Sequence, residues 1–153
     1  MNISKTPGAT KKLGKTRWEF QATFQTPLKK LDPFVSTVLS TNDVLESASV
    51  TIDEVVFEPK HLNALRDKNQ TEPIGLDVTF VAEGREQAKE LLVATFSDWV
   101  DFFFVPAPKP FVIYADHDEY ATFFANTKSK LNSVVEPLLK SGFKQVLNYQ
   151  RQF

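Results

Sequence analysis

Between Trp18 and Gln25, apolar and polar residues alternate without a break: Trp18, Phe20, Ala22 and Phe24 fall on one side, and Glu19, Gln21, Thr23 and Gln25 on the other. A period of two sends successive side chains to opposite faces of an extended chain, so this segment predicts a strand with one face in a core and one face wet. A half-buried strand needs a partner layer, and the following residues offer one. After Pro27, Leu28, Leu31, Phe34, Val35 and Val38 recur at helical spacing, with Pro33 keeping that helix short or kinked.

The alternation of strand and helix signals continues along the chain. Val50 and Ile52, then Val55 and Phe57, alternate in two registers offset around Asp53-Glu54, as in a strand with a bulge. Glu58-Pro59 can open a short helix through Leu65, and Ile74, Leu76, Val78 and Phe80 predict a third strand. The longest helical stripe runs from Arg85 to Phe103, until Pro106-Ala107-Pro108-Lys109-Pro110 stops it. Phe111–Ala115 is apolar on both faces and reads as a central strand. A last helical region starts at Asp118 and is interrupted at Pro137. A second capping box at Ser133-Val134-Val135-Glu136 makes it two helices ending near Gly142, before a closing strand at Phe143, Gln145, Leu147 and Tyr149.

This order predicts an α+β single domain with a mixed or antiparallel sheet and helices on one face. The connectivity is a ferredoxin-like βαββαβ core with a C-terminal αβ extension. Residues 1–16 show no apolar periodicity and are expected to be a flexible basic tail before a domain at 17–153. The periodic stripes place Trp18, Phe20, Phe24, Leu76, Val78, Phe80, Phe96, Trp99, Ile113 and Phe123 in one core. Fourteen phenylalanines against one methionine make that core one of rigid rings.

Several function classes drop out. Without cysteine the chain has no disulfide, no thiolate nucleophile and no Cys-ligated metal, and a reducing cytoplasm suits it. The first residues lack the apolar run of a secretory signal, and no stretch approaches the roughly 18 apolar residues of a membrane span, so no membrane role is expected. There is no GxGxxG, no P-loop and no Gly-x-Ser-x-Gly elbow. Gly84 is the sole glycine at a strand-to-helix turn, beside the repelling Glu83. No cofactor is expected.

Two features remain as site candidates. Asp116-His117-Asp118-Glu119 follows the central strand. As a site, it would use Asp116, His117 and Glu119 for acid–base or metal chemistry; as a helix start, Asp116 would cap, Glu119 would return the capping-box bond, and Asp118 would favour the positive helix end. The only other histidine, His61, is expected at the surface in a helical first turn.

The second feature is charge. The formal net charge of −1 conceals Lys5, Lys11, Lys12, Lys15 and Arg17 in the first 17 residues, which leaves 13 basic against 19 acidic side chains in the rest. Between Leu31 and Pro59 there is no base, while Asp32, Asp43, Glu46, Asp53, Glu54 and Glu58 supply six acids. Such a field repels nucleic acid and attracts cationic surfaces. The expected function is noncatalytic binding of a basic protein, as by an immunity- or antitoxin-type inhibitor of a cationic toxin, with those six acids as the contact. The alternatives are a small metal-dependent or acid–base hydrolase centred on Asp116-His117-Asp118-Glu119 and a structural or oligomerisation module. Phe102-Phe103-Phe104-Val105 exceeds what one helix face needs, so Phe102 and Phe104 are candidates for a homo-oligomer contact.

Overall fold

The alternation at Trp18–Gln25 becomes a strand with Ala22 and Phe24 buried under the helices and Gln21 and Thr23 on the other face. In a computed structural model that describes residues 1–153, the element order is β1 (Asn2–Lys5), α1 (Ala9–Lys15), β2 (Phe20–Gln25), α2 (Leu31–Ser40), β3 (Ser47–Glu54), α3 (Lys60–Leu65) and β4 (Val78–Glu83). It continues with α4 (Gly84–Ser97), β5 (Asp101–Ala107), β6 (Val112–Ala115), β7 (Tyr120–Ala125), α5 (Lys128–Lys140) and β8 (Gln145–Val146). The strands form one eight-stranded antiparallel sheet in the order β1-β4-β3-β5-β6-β7-β2-β8, so the chain is an α+β domain.

Strand direction follows from the pairings. β4 and β5 both run antiparallel to β3, so they are parallel to each other, and α4 joins them across it. α5 likewise joins β7 to β8 across β2. These two split βαβ units stand apart instead of interleaving. The strand expected to lie inside a ferredoxin-like core, β2, is separated from β3 by β5, β6 and β7.

Helices α2, α4 and α5 cover one face of the sheet and share its main core. Ten of the fourteen phenylalanines are buried, and edge-to-face contacts such as Phe34–Phe96 at 5.8 Å and Phe96–Phe102 at 5.3 Å tie helix to helix and helix to sheet. The second face is not left to solvent. Phe103, Val112, Tyr114 and Phe124 form a smaller cluster there, with Leu13 of α1 and Trp18 against it and Phe153 stacked on three of its rings.

Several expectations are corrected. The stretch through Lys15 is structured: β1 pairs with β4 from Asn2↔Val81 to Lys5↔Val78, and the Thr10 hydroxyl donates to the Ile52 carbonyl at 3.1 Å. An edge strand with one inward side chain, Ile3, and a short helix with one packed leucine carry too little apolar periodicity to be recognised. The helix expected to reach Phe103 stops at Ser97, because Trp99 turns through a left-handed φ of 56° and β5 begins at Asp101. Phe102 and Phe104 are 1% and 0% exposed under the helices, which removes them as an oligomer contact.

The Asp118 helix start is likewise absent. Tyr120–Ala125 is strand β7, buried on both faces, and α5 begins after Thr127, whose hydroxyl accepts from Lys130 N at 3.1 Å. That helix runs through Pro137 unbroken, held by buried Val134, Val135 and Leu138. Leu76 is exposed, since β4 starts only at Val78, after Asp77 turns at a φ of 68°. Phe24, Val78, Phe80, Phe96, Ile113 and Phe123 share the main core; Phe20 packs at its edge and Trp18 on the opposite face.

Candidate functional site

The bulge expected at Asp53-Glu54 is present: the β3–β5 register slips between Ile52 and Glu54, which sets Glu54 opposite Asp101. The extra residue, Asp53, faces the second side of the sheet and accepts a hydrogen bond from the Tyr114 hydroxyl at 2.5 Å. Burial and the neighbouring Asp53 carboxylate push the Tyr114 phenol far above its ordinary value, so it stays protonated and donates.

Asp116-His117-Asp118-Glu119 is the turn between β6 and β7. Asp116 Oδ1 accepts from the backbone amides of Asp118 (2.9 Å) and Tyr120 (3.2 Å), an Asx-type turn in place of the expected helix cap. Its Oδ2 takes Arg151 Nη2 at 2.7 Å, while Arg151 also donates to the Thr122 hydroxyl and lies 4.6 Å over the Tyr114 ring. Both oxygens of Asp116 are thus occupied structurally. Glu119 holds a left-handed φ of 74° and its carbonyl accepts from Thr26 N at 2.7 Å.

His117 is placed differently. Its Nδ1 lies 2.8 Å from Asp101 Oδ1, and its backbone amide donates to the same oxygen at 2.8 Å. Asp101 is nearly buried, with a side chain 9% exposed, whereas Asp118, 3.9 Å from His117 Nε2, is 80% exposed. The hydrogen bond to Asp101 raises the His117 pKa above its usual 6.5, with the charges of Asp101, Asp118 and Glu54 adding to it. One constellation at these strand ends therefore unites two of the six acids of the run, Asp53 and Glu54, with the β6–β7 turn.

The other acids lie elsewhere. Asp43 and Glu46 precede β3 and are exposed at its opposite end, roughly 23 Å away at a rise of about 3.3 Å per residue. Asp32 sits in the first turn of α2, bridged to Lys89 at 2.9 Å. Glu58 is exposed in the loop after β3, next to the exposed Val56 and Phe57. No group of three or more His, Cys, Asp or Glu side chains is placed to hold a metal ion, and no helix is long and apolar enough to cross a membrane. No known protein family, curated protein or solved structure matches this chain.

Asp101, Tyr114 and Arg151 were not singled out from sequence, nor was Asp98, which accepts from His61 Nδ1 at 2.6 Å and from the backbone amides of His61 and Leu62. The two histidines of the chain are thus held alike, each by Nδ1 and its own amide, on aspartates that bracket Trp99-Val100. Two acids around the point where an apolar helix gives way to an apolar strand are the signal that was there to find.

Proposed function

We propose that the protein is a noncatalytic binding domain that presents the acidic strand-end surface around His117 to a basic protein partner. The observation that supports it is the convergence of Glu54, Asp101 and Asp118 on one histidine, with Glu58, Val56 and Phe57 exposed on the loop that follows β3. Opposite charge on such a rim raises association rate and specificity, and exposed apolar side chains beside it supply contact area. Inhibition of a cationic toxin is one role of this kind.

The test is kinetic. A basic protein recovered from native cells should associate more slowly with Glu54→Lys/Asp118→Lys than with the parent at low salt, by about tenfold or more, and with a shallower salt dependence. Both side chains are exposed, so the fold is retained, whereas Asp53 is unsuitable for reversal because it holds Tyr114. Equal rates for the two proteins would refute the docking surface. The Asp101–His117 pair favours a second reading, acid–base hydrolysis with Nε2 as the outward group. In that case His117→Ala abolishes turnover of a substrate while leaving partner association unchanged.

A further inference from the structure

The other histidine–aspartate pair opens on a cleft. Between α3 and α4, with Asp32 of α2 at its rim, lies a cavity of about 560 Å³, within the range of roughly 300–1,000 Å³ typical of small-molecule sites. We propose that this cleft binds a small organic cation, a primary ammonium carried on an apolar chain or ring.

The floor comes from the spacing of α4. Val93 and Ala94 lie one and two turns along from Glu86 and Glu90 on a single stripe, and Leu65 of α3 faces them across the cleft. Val93 and Leu65 pack on the main core from below, so their outer surfaces form an apolar trough.

The charge on the rim selects the ligand. Lys89 is spent on Asp32 at 2.9 Å, while Glu86 and Glu90, four residues apart on one helix face, have no salt-bridge partner. Two uncompensated carboxylates repel an anion and attract a cation. The trough beside them offers too few oxygen ligands for a metal ion and suits the apolar body of an amine.

His61 supplies the directional contact. Asp98 is buried, with a side chain 1% exposed, and its two oxygens hold the His61 ring nitrogen and the first amides of α3, which fixes the ring's orientation. The Asp98 carboxylate only accepts, so Nδ1 donates to it, which leaves Nε2, without a hydrogen-bond partner in the chain, as the nitrogen that accepts in the neutral form of the ring. The ring is half exposed and lines the cleft, so an ammonium donates to Nε2 while Glu86 and Glu90 neutralise it.

The test compares n-octylamine, n-octanol and octanoate, all below their aggregation concentrations, by calorimetry and by NMR of the two histidine rings. Saturable binding of octylammonium that shifts the His61 resonances and leaves those of His117 in place is expected, with octanoate inert and octanol at least tenfold weaker. Glu86→Gln/Glu90→Gln, which alters only exposed side chains, should weaken octylammonium at least tenfold, and Val93→Lys should abolish binding by placing an ammonium in the trough. Equal affinity for amine and alcohol, no effect of the double glutamine variant, or no saturable binding by octylamine and by phenethylamine would each overturn the proposal.

Discussion

At the scale of single residues, the most consequential arrangement is the seating of His117 on Asp101. Folding raises the pKa of this imidazole, chiefly through the Asp101 hydrogen bond, so the charged ring is favoured in the folded state over the unfolded chain. The stability it contributes is complete below pH 6.5 and disappears as pH rises through the folded-state value. NMR titration should therefore find His117 titrating above its ordinary range. Asp101→Asn, which removes the charge and weakens the acceptor, should move it down, and the stability of that variant should fall less between pH 6 and 8 than the parent's. An unmoved His117 pKa in Asp101→Asn would show that the aspartate does not hold the ring in solution. The parallel contact of His61 with Asp98 also closes the start of α3, because the same carboxylate receives the amides of His61 and Leu62.

At the scale of elements, legibility followed burial. β2 was readable because one of its faces is lined by Gln21, Thr23 and Gln25, whereas β5 and β7 bury both faces and read as stretches of helix. A continuous apolar run carries no period, and only the left-handed turn at Trp99 and the Asx turn at Asp116 separate the strands from what precedes them. The candidate site was half legible for a related reason. Its charged turn was visible, but the register that carries Glu54 to Asp101 depends on pairing between strands distant in sequence. The end of α5 was plain: Gly142, at a φ of 87°, donates to Leu139 and Phe143 donates to Leu138, the double bond of a Schellman ending. Its beginning was misplaced, since Thr127 caps it and Ser133 bonds back to Lys130 within the helix. Thermal or denaturant unfolding should thus show Thr127→Ala and Gly142→Ala each costing about 1 kcal/mol, and Ser133→Ala within about 0.5 kcal/mol of the parent. The reverse ranking of Thr127 and Ser133 would restore the two-helix reading.

At the scale of the molecule, the sheet is closed on both faces by different means. Three helices with a phenylalanine core cover one side; the other is covered by α1, Trp18 and the segment carrying Arg151 and Phe153, on a surface that mixes rings with paired hydroxyls such as Thr23–Thr122 at 2.8 Å. This second cover hangs on few groups. Asp77, buried at the start of β4, accepts from Gly8 N at 2.8 Å and Thr10 N at 2.9 Å, and those amides hold its carboxyl below the usual aspartate range. Because folding lowers that pKa, the contribution is present above pH 3.8 and is lost as pH falls through the folded-state value. The isosteric Asp77→Asn removes the charge and, with only one acceptor oxygen, turns an NH₂ group toward one of the two amides. Residues 2–15 should then detach from β4 and β3 while the helical face stays folded. Trypsin reads this directly: Lys11, Lys12 and Lys15 of α1 should be cut faster in Asp77→Asn than in the parent at neutral pH, and acidification should accelerate opening in the parent more than in the variant. Equal cleavage in both proteins would mean that the N-terminal strand and helix are held by Ile3, Leu13 and their backbone pairing alone.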